Sequence, residues 1–166
     1  MLPFLEWEYI CMHPGKNICR LMMWMFFFIC LAQGSSAAKQ IAVIVNKENS
    51  TQALSAAELT KIFKCDTRKW PAGAAITVVV RDPASPEMEL LLSNIYKISP
   101  DELRVFIAAH HSTVVVVDSN EAMLKAVETI PGAIGLIDVF RITQEVKVLK
   151  IDGKLPVEYG YLLRGN

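Results

Sequence analysis

The chain has 166 residues, and residues 39–166, which follow an expected leader, suit one domain with its own core. Its 17 basic and 17 acidic residues cancel, so no basic excess points to nucleic acid or to a membrane surface as partner. Of its four cysteines, Cys11, Cys19 and Cys30 lie near the start, which leaves Cys65 alone and excludes an internal disulfide framework in the remainder.

Residues 1–38 read as a secretory signal peptide cleaved from a domain of residues 39–166. Lys16 and Arg20 form a short positive region, and Leu21 to Ala32 is an unbroken apolar run. The small residues Ser36 and Ala38 suit a cut before Lys39, and Ser35 with Ala37 allow one a residue earlier. A membrane anchor is the rival reading, but the run is shorter than the roughly 20 residues a spanning helix needs. Phe28-Ile29 before Cys30 does not suit a lipoprotein cut. Glu6 and Glu8 with no base in residues 1–11 are unusual for a leader, so Met12 competes with Met1 as the start.

Beyond the leader, Ile41 to Val45 is an apolar, β-branched run that predicts a buried strand. After a polar turn, Ser55 with Glu58 three residues on forms a capping box. It starts a helix running to about Lys64 that buries Leu59, Ile62 and Phe63. Trp70-Pro71-Ala72-Gly73 is a turn, and Ile76 to Val80 a second buried strand. Arg81 stands at that strand's C-terminal end. Ser85-Pro86 then starts a helix, with serine as N-cap, proline at the first helical position and Glu87 in the first turn. Ser99 with Glu102 repeats the capping box for a helix ending near His110 and His111. Val114 to Val117 is a strand, Asp118 to Glu121 caps a helix through Val127, and Ala133 to Ile137 is a short strand. Val146 to Ile151 reads as one long last strand, and Val157 to Arg164 as an added edge strand. Strands alternating with helices predict an α/β domain: a mixed, largely parallel sheet flanked by helices.

Three stretches, taken in series, resemble a known family. Leu54 to Phe63 with Trp70 after it is similar to the Leu-Ser-x-x-Glu-Leu-x-x-Ile-Phe…Trp segment of the phosphate-binding proteins of ABC-type importers. Ile76 to Arg81 followed by Ser85 resembles the strand and loop that hold the anion there. Thr129 to Gly135 is similar to the family's Pro-Gly-Ala-Ile-Gly turn. The likeness covers most of residues 41–151. It implies one lobe of a type II periplasmic binding protein: a periplasmic or secreted binding module, without catalysis or cofactor. Its implied ligand is a small oxyanion such as phosphate, and its implied partner a membrane transporter or sensor. Two departures bear on function. The family loop reads roughly Arg-Ser-x-Gly-Ser-Gly-Thr, and here Pro86 replaces a glycine N–H while Glu87 brings negative charge in place of threonine. The chain also has the length of a single lobe, which cannot clamp a ligand between two.

The ligand candidates are therefore Arg81, Ser85 and, more weakly, Ser55. Each has a plainer role beside the functional one. Arg81 at a strand end can pair with a carboxylate such as Asp82, and both serines suit N-caps. In open α/β sheets, ligands collect at strand C-terminal ends, where helix starts offer free N–H groups. Gly132 and Gly135 read as backbone geometry, Trp70 as core or turn packing, and Cys65 as a small buried residue. Adjacent His110 and His111 point about 100° apart on a helix and favour its C-terminus over a metal. No nucleophile elbow, zinc-binding His-Glu-x-x-His or phosphate-binding Gly-Lys-Ser loop occurs, and Glu87 and Glu89 face different ways, so no enzyme is expected. The alternative to a binding module is an interaction protein that kept the fold, lost the ligand and partners a membrane sensor or transporter.

Overall fold

The structure is a computed structural model that describes residues 40–165. The signal segment expected over residues 1–38 lies outside them. β1 (Ile41–Asn46), β3 (Thr77–Arg81), β4 (Val114–Val117), β5 (Ala133–Asp138) and β6 (Val146–Val148) form one sheet in the order β4-β3-β5-β1-β6. β3 pairs in parallel with both β4 and β5, whereas β1 runs antiparallel to β5 and β6. A small parallel pair, β2 (Ala53–Leu54) and β7 (Lys150–Ile151), stands apart. The helices are α1 (Ala56–Phe63), α2 (Pro86–Leu91), α3 (Pro100–Ala109) and α4 (Asn120–Thr129).

The unbroken apolar strands are explained by cover on both faces. Ile41, Val43 and Val45 of β1, with Val78, Val80, Ile134 and Leu136, pack under α1, α2 and α3 through Leu59, Phe63, Met88, Leu91 and Leu103. Ala42, Ile44, Val79, Ala133 and Ile137 face the other way, against Met123 and Val127 of α4. Alternate residues of each strand thus enter different cores, the period of two that a pleated strand imposes. Gly135 lets α4 sit close to β5: a Cβ there would lie 2.5 Å from the Met123 sulfur. Gly132 is more constrained, since a Cβ would lie 1.7 Å from the Ala75 carbonyl oxygen. Trp70 is buried beside it and its indole N–H donates to the Gly132 carbonyl at 3.0 Å, as a core role requires.

Three expectations change. Residues 146–151 are two strands: the Leu149 N–H still donates to Val43 at 2.9 Å, but the Lys150 N–H donates to Gln52 at 3.2 Å. The pairing partner thus switches from β1 to β2 at Leu149. The tail 157–164 forms turns instead of an edge strand, apart from an isolated bridge between Gln40 and Arg164, and Tyr161 and Leu163 anchor it by burial in the core. The helix from Pro86 is α-helical only to Leu91. A π-helical turn, Leu92–Tyr96, follows, closed by Lys97 at φ 56 with its N–H on the Leu92 carbonyl at 2.7 Å. That winding keeps Leu92, Ile95 and Tyr96 all on the core side.

Candidate functional site

The two loops that leave the C-terminal ends of β3 and β4 part to opposite faces of the sheet. The chain after β3 enters α2, which packs on the face shared with α1 and α3, whereas the chain after β4 enters α4 on the other face. Such a divergence opens a crevice at the strand ends, the place where open α/β sheets bind ligands. Arg81 is the last residue of β3, paired in register with Val117 of β4, and its side chain reaches the loop that follows β4. Nη1 donates to Asn120 Oδ1 at 2.9 Å and Nη2 to the Asp118 carbonyl at 2.9 Å. Arg81 therefore does not pair with Asp82, whose carboxylate instead lies 3.8 Å from Arg104 and accepts the Ala84 N–H at 2.8 Å.

A hydrogen-bonded turn, Ser85 N–H to Asp82 carbonyl at 2.8 Å, folds the chain back so that Ser85 stands close to the strand end. Ser85 occupies the N-cap position of α2 with extended backbone, yet its hydroxyl makes no capping bond. That corrects the simple capping expectation. The Met88 N–H, which a capping hydroxyl would satisfy, donates to the Ser85 carbonyl at 3.0 Å. The sequence signal for this was present: the third residue after Ser85 is Met88, where the complete capping boxes carry glutamate.

Among the described residues, four buried side-chain polar atoms have no hydrogen-bond partner, and three of them fall within seven residues here: Arg81 Nε, Ser85 Oγ and Glu87 Oε2. An unpaired buried donor or acceptor costs about 1–3 kcal/mol, so three in one short segment set it apart from the rest of the described chain. Glu87, expected in the first turn of the helix and as a charge that opposes an anion, carries the third of these atoms.

Ser55 is placed differently. Its hydroxyl donates to Glu58 Oε2 at 2.7 Å and accepts the Glu58 N–H at 3.2 Å, a complete capping box. Asp152 Oδ1 takes the Ala56 N–H at 3.0 Å, so a carboxylate of the protein already sits on the start of α1. No hydrogen bond among the described residues links Ser55 to Arg81 or Ser85. At the other candidate features, His110 caps α3 with Nδ1 2.9 Å from the Phe106 carbonyl, and His111 Nδ1 lies 3.2 Å from that of Ala108. Cys65 is buried, and that burial pushes its thiol above the ordinary value, away from the reactive thiolate.

Residues 33–160 match the family model of the PBP superfamily domain. Among solved structures, the chain is similar to an ABC-type phosphate transport receptor from Vibrio cholerae, with 22% identity and a TM-score of 0.65 over 78% of this chain and 55% of that one. It is similar to PstS from Borrelia burgdorferi, with 18% identity and a TM-score of 0.64 over 78% of this chain and 56% of that one. A phosphate binding protein from Stenotrophomonas maltophilia matches at 22% identity and a TM-score of 0.59, over 73% of this chain and 41% of that one. The chain thus spans about half the length of the solved structures it matches, and at these identities the likeness is one of fold. No curated protein matches.

Proposed function

We propose, from the premise that this chain belongs to the PBP superfamily, that it is a secreted or periplasmic substrate-binding module whose ligand is a small oxyanion such as phosphate. Arg81 supplies the charge and Ser85 the hydroxyl. The observation that supports this reading is the pair of buried donors without partners, Arg81 Nε and Ser85 Oγ, in the segment where β3 ends and the next helix begins. The bonds to Asn120 and Asp118 hold the guanidinium plane, with Nε as its one nitrogen without a partner. Charge-assisted bonds of this kind contribute about 1.5–3 kcal/mol each. Pro86 lacks an N–H and Glu87 opposes an anion, so the expected affinity is modest, about millimolar to micromolar.

Isothermal titration calorimetry with phosphate and sulfate tests the reading. Wild type binds weakly, Arg81→Ala loses binding, and Glu87→Thr gains affinity. Silence from both wild type and Glu87→Thr rejects it. The alternative then takes its place: an interaction protein that partners a membrane transporter or sensor. Glu87 at the site and the solvent-exposed Phe140 and Tyr159 favour that alternative. Export carries its own test. N-terminal sequencing of the exported protein starts at Lys39 or Ala38, and an intact Met1 or Met12 rejects the cleavage.

A further inference from the structure

β4 has the sequence of a central strand and the position of an edge strand. It reads Val-Val-Val-Val, as apolar and β-branched as Val78-Val79-Val80 of β3 beside it. In β3 those three valines are buried, because a strand pairs on each side and both faces are covered. β4 closes one end of the sheet, and its middle valines stay open: Val115 is 37% exposed and Val116 47%. They point to opposite faces, Val116 to that of Val114 and Val115 to that of Val117. Both cores therefore stop short of this edge. Edge strands are ordinarily blunted by charge, proline or a bulge. Residues 112–117 carry neither charge nor proline, and the register of β4 with β3 runs without a bulge. The backbone of the edge is open too. The Val78 N–H donates to the Thr113 carbonyl at 2.8 Å, so Thr113, Val115 and Val117 turn their backbone groups toward β3, and Val114 and Val116 turn theirs outward. The Val114 N–H is taken by the His110 carbonyl at 2.9 Å, which leaves Val116 as the outward residue of β4 with both N–H and C=O free among the described residues.

The groups that flank the strand select a second copy of this chain as its cover. His110, His111, Ser112 and Thr113 precede β4 with imidazoles and hydroxyls; Asp118 follows it, the one carboxylate within residues 110–120, exposed and in no ion pair among those described. Two copies of β4 running antiparallel set the donor end of each against the carboxylate end of the other, whereas parallel copies would set Asp118 beside Asp118. We propose that β4 is a self-association edge, two copies pairing antiparallel about a two-fold axis at Val116, where each Val116 exchanges both backbone bonds with its counterpart. The two sheets then form one continuous sheet, and Val115 and Val116 are covered. An edge this short falls below the roughly 1,200 Å² of a stable interface, so the dimer is weak, with a dissociation constant of about 10–500 µM.

Sedimentation velocity of the purified exported protein, from about 10 µM to about 1 mM, tests the proposal: the mean mass of wild type rises from one copy toward two. Val116→Lys puts a charge on the edge, and Val116→Pro deletes its outward N–H while sparing the bonds to β3. Each variant stays monomeric across that range, with its circular dichroism unchanged. Mild oxidation of Val116→Cys gives a disulfide-linked dimer at least about tenfold faster than Tyr159→Cys, because directly opposed residues of an antiparallel pair lie within disulfide reach. Tyr159 is 93% exposed, so accessibility alone would favour the control. A wild type that stays monomeric to about 1 mM overturns the proposal and leaves the edge to a strand of another protein. Self-association that survives both Val116→Lys and Val116→Pro overturns it as well, as does equal cross-linking at the two cysteine positions. The wild-type series and the cysteine pair decide the matter even where Val116→Pro fails to fold.

Discussion

Two helices of this molecule begin with the same dipeptide, Ser-Pro, at 85–86 and at 99–100, and they use the serine in opposite ways. At the start of α3, the Ser99 hydroxyl accepts the Glu102 N–H and donates to Glu102 Oε2 at 2.8 Å, while the same carboxylate takes the Ser99 N–H at 2.8 Å. The hydroxyl, N–H and carbonyl of Ser99 are thus all occupied, the last by the Leu103 N–H at 3.0 Å. At the start of α2, the Ser85 hydroxyl is buried and free. The residue three positions on makes the difference. Glu102 is exposed and reaches back, whereas Met88 is 1% exposed and belongs to the core shared by α2 and the sheet. A capping box needs a polar side chain at the third helical position. Where the core claims that position, the serine is left over, and here it is left over in the turn that follows Arg81.

Forcing the two starts to match should produce the largest effect. Met88→Glu installs the missing carboxylate of the box but buries its charge, and urea unfolding should show a loss of about 3 kcal/mol or more. A neutral result would mean that the core does not set the difference. Removing the working cap comes next. Ser99→Ala should cost about 1 kcal/mol and lower the thermal midpoint by roughly 3–6 °C. Ser85→Ala, the same change at the idle serine, should move stability by less than about 0.5 kcal/mol, because no bond is lost and a buried unpaired hydroxyl is removed. A loss equal to that of Ser99→Ala would show that Ser85 caps its helix in solution.

The smallest effect is a pH slope. Glu102 is held below the ordinary carboxylate value by the backbone N–H of Ser99 and then by its hydroxyl, and Glu58 likewise by Ser55. A carboxyl lowered in the folded state stabilises fully above the unfolded value, near 4.5. That contribution is lost as pH falls through the lower native value. Thermal midpoints followed from about pH 6 to about pH 3 should therefore decline below pH 4.5, and the double change Ser55→Ala with Ser99→Ala should flatten part of the decline. An unchanged slope in the double variant would remove the caps as its source.

The fold was legible wherever neighbours in sequence decide the outcome. The apolar runs at 41–45, 76–80 and 133–137 became strands because both faces of the sheet are covered, and Ser55, Ser99 and Ser119 cap helices whose partners lie within three residues. Legibility failed where a strand had to choose a distant partner. Residues 146–151 carry an unbroken β pattern, yet Leu149 divides them between two sheets, because β1 and β2 offer their edges to different parts of the run. The tail has strand-like composition, but Gly160 at φ 75 and the turns around it leave side-chain burial as its main anchor.

The candidate site shows the same division. The sequence by itself determined that Arg81 ends a buried strand, that Ser85 begins a helix and that Glu87 follows, because strand pattern and helix start are local properties of the chain. Only the tertiary structure decided what those side chains meet. Arg81 binds Asp118 and Asn120, 37 and 39 residues away, because β4 lies beside β3 and its loop turns to the opposite face. Met88 turns from Ser85 into the core beneath α2, and that packing leaves the Ser85 hydroxyl without a partner. Hydrogen bonds within a turn depend on spacing along the chain; those across a crevice depend on which strands become neighbours, and that is settled by burial of the whole core.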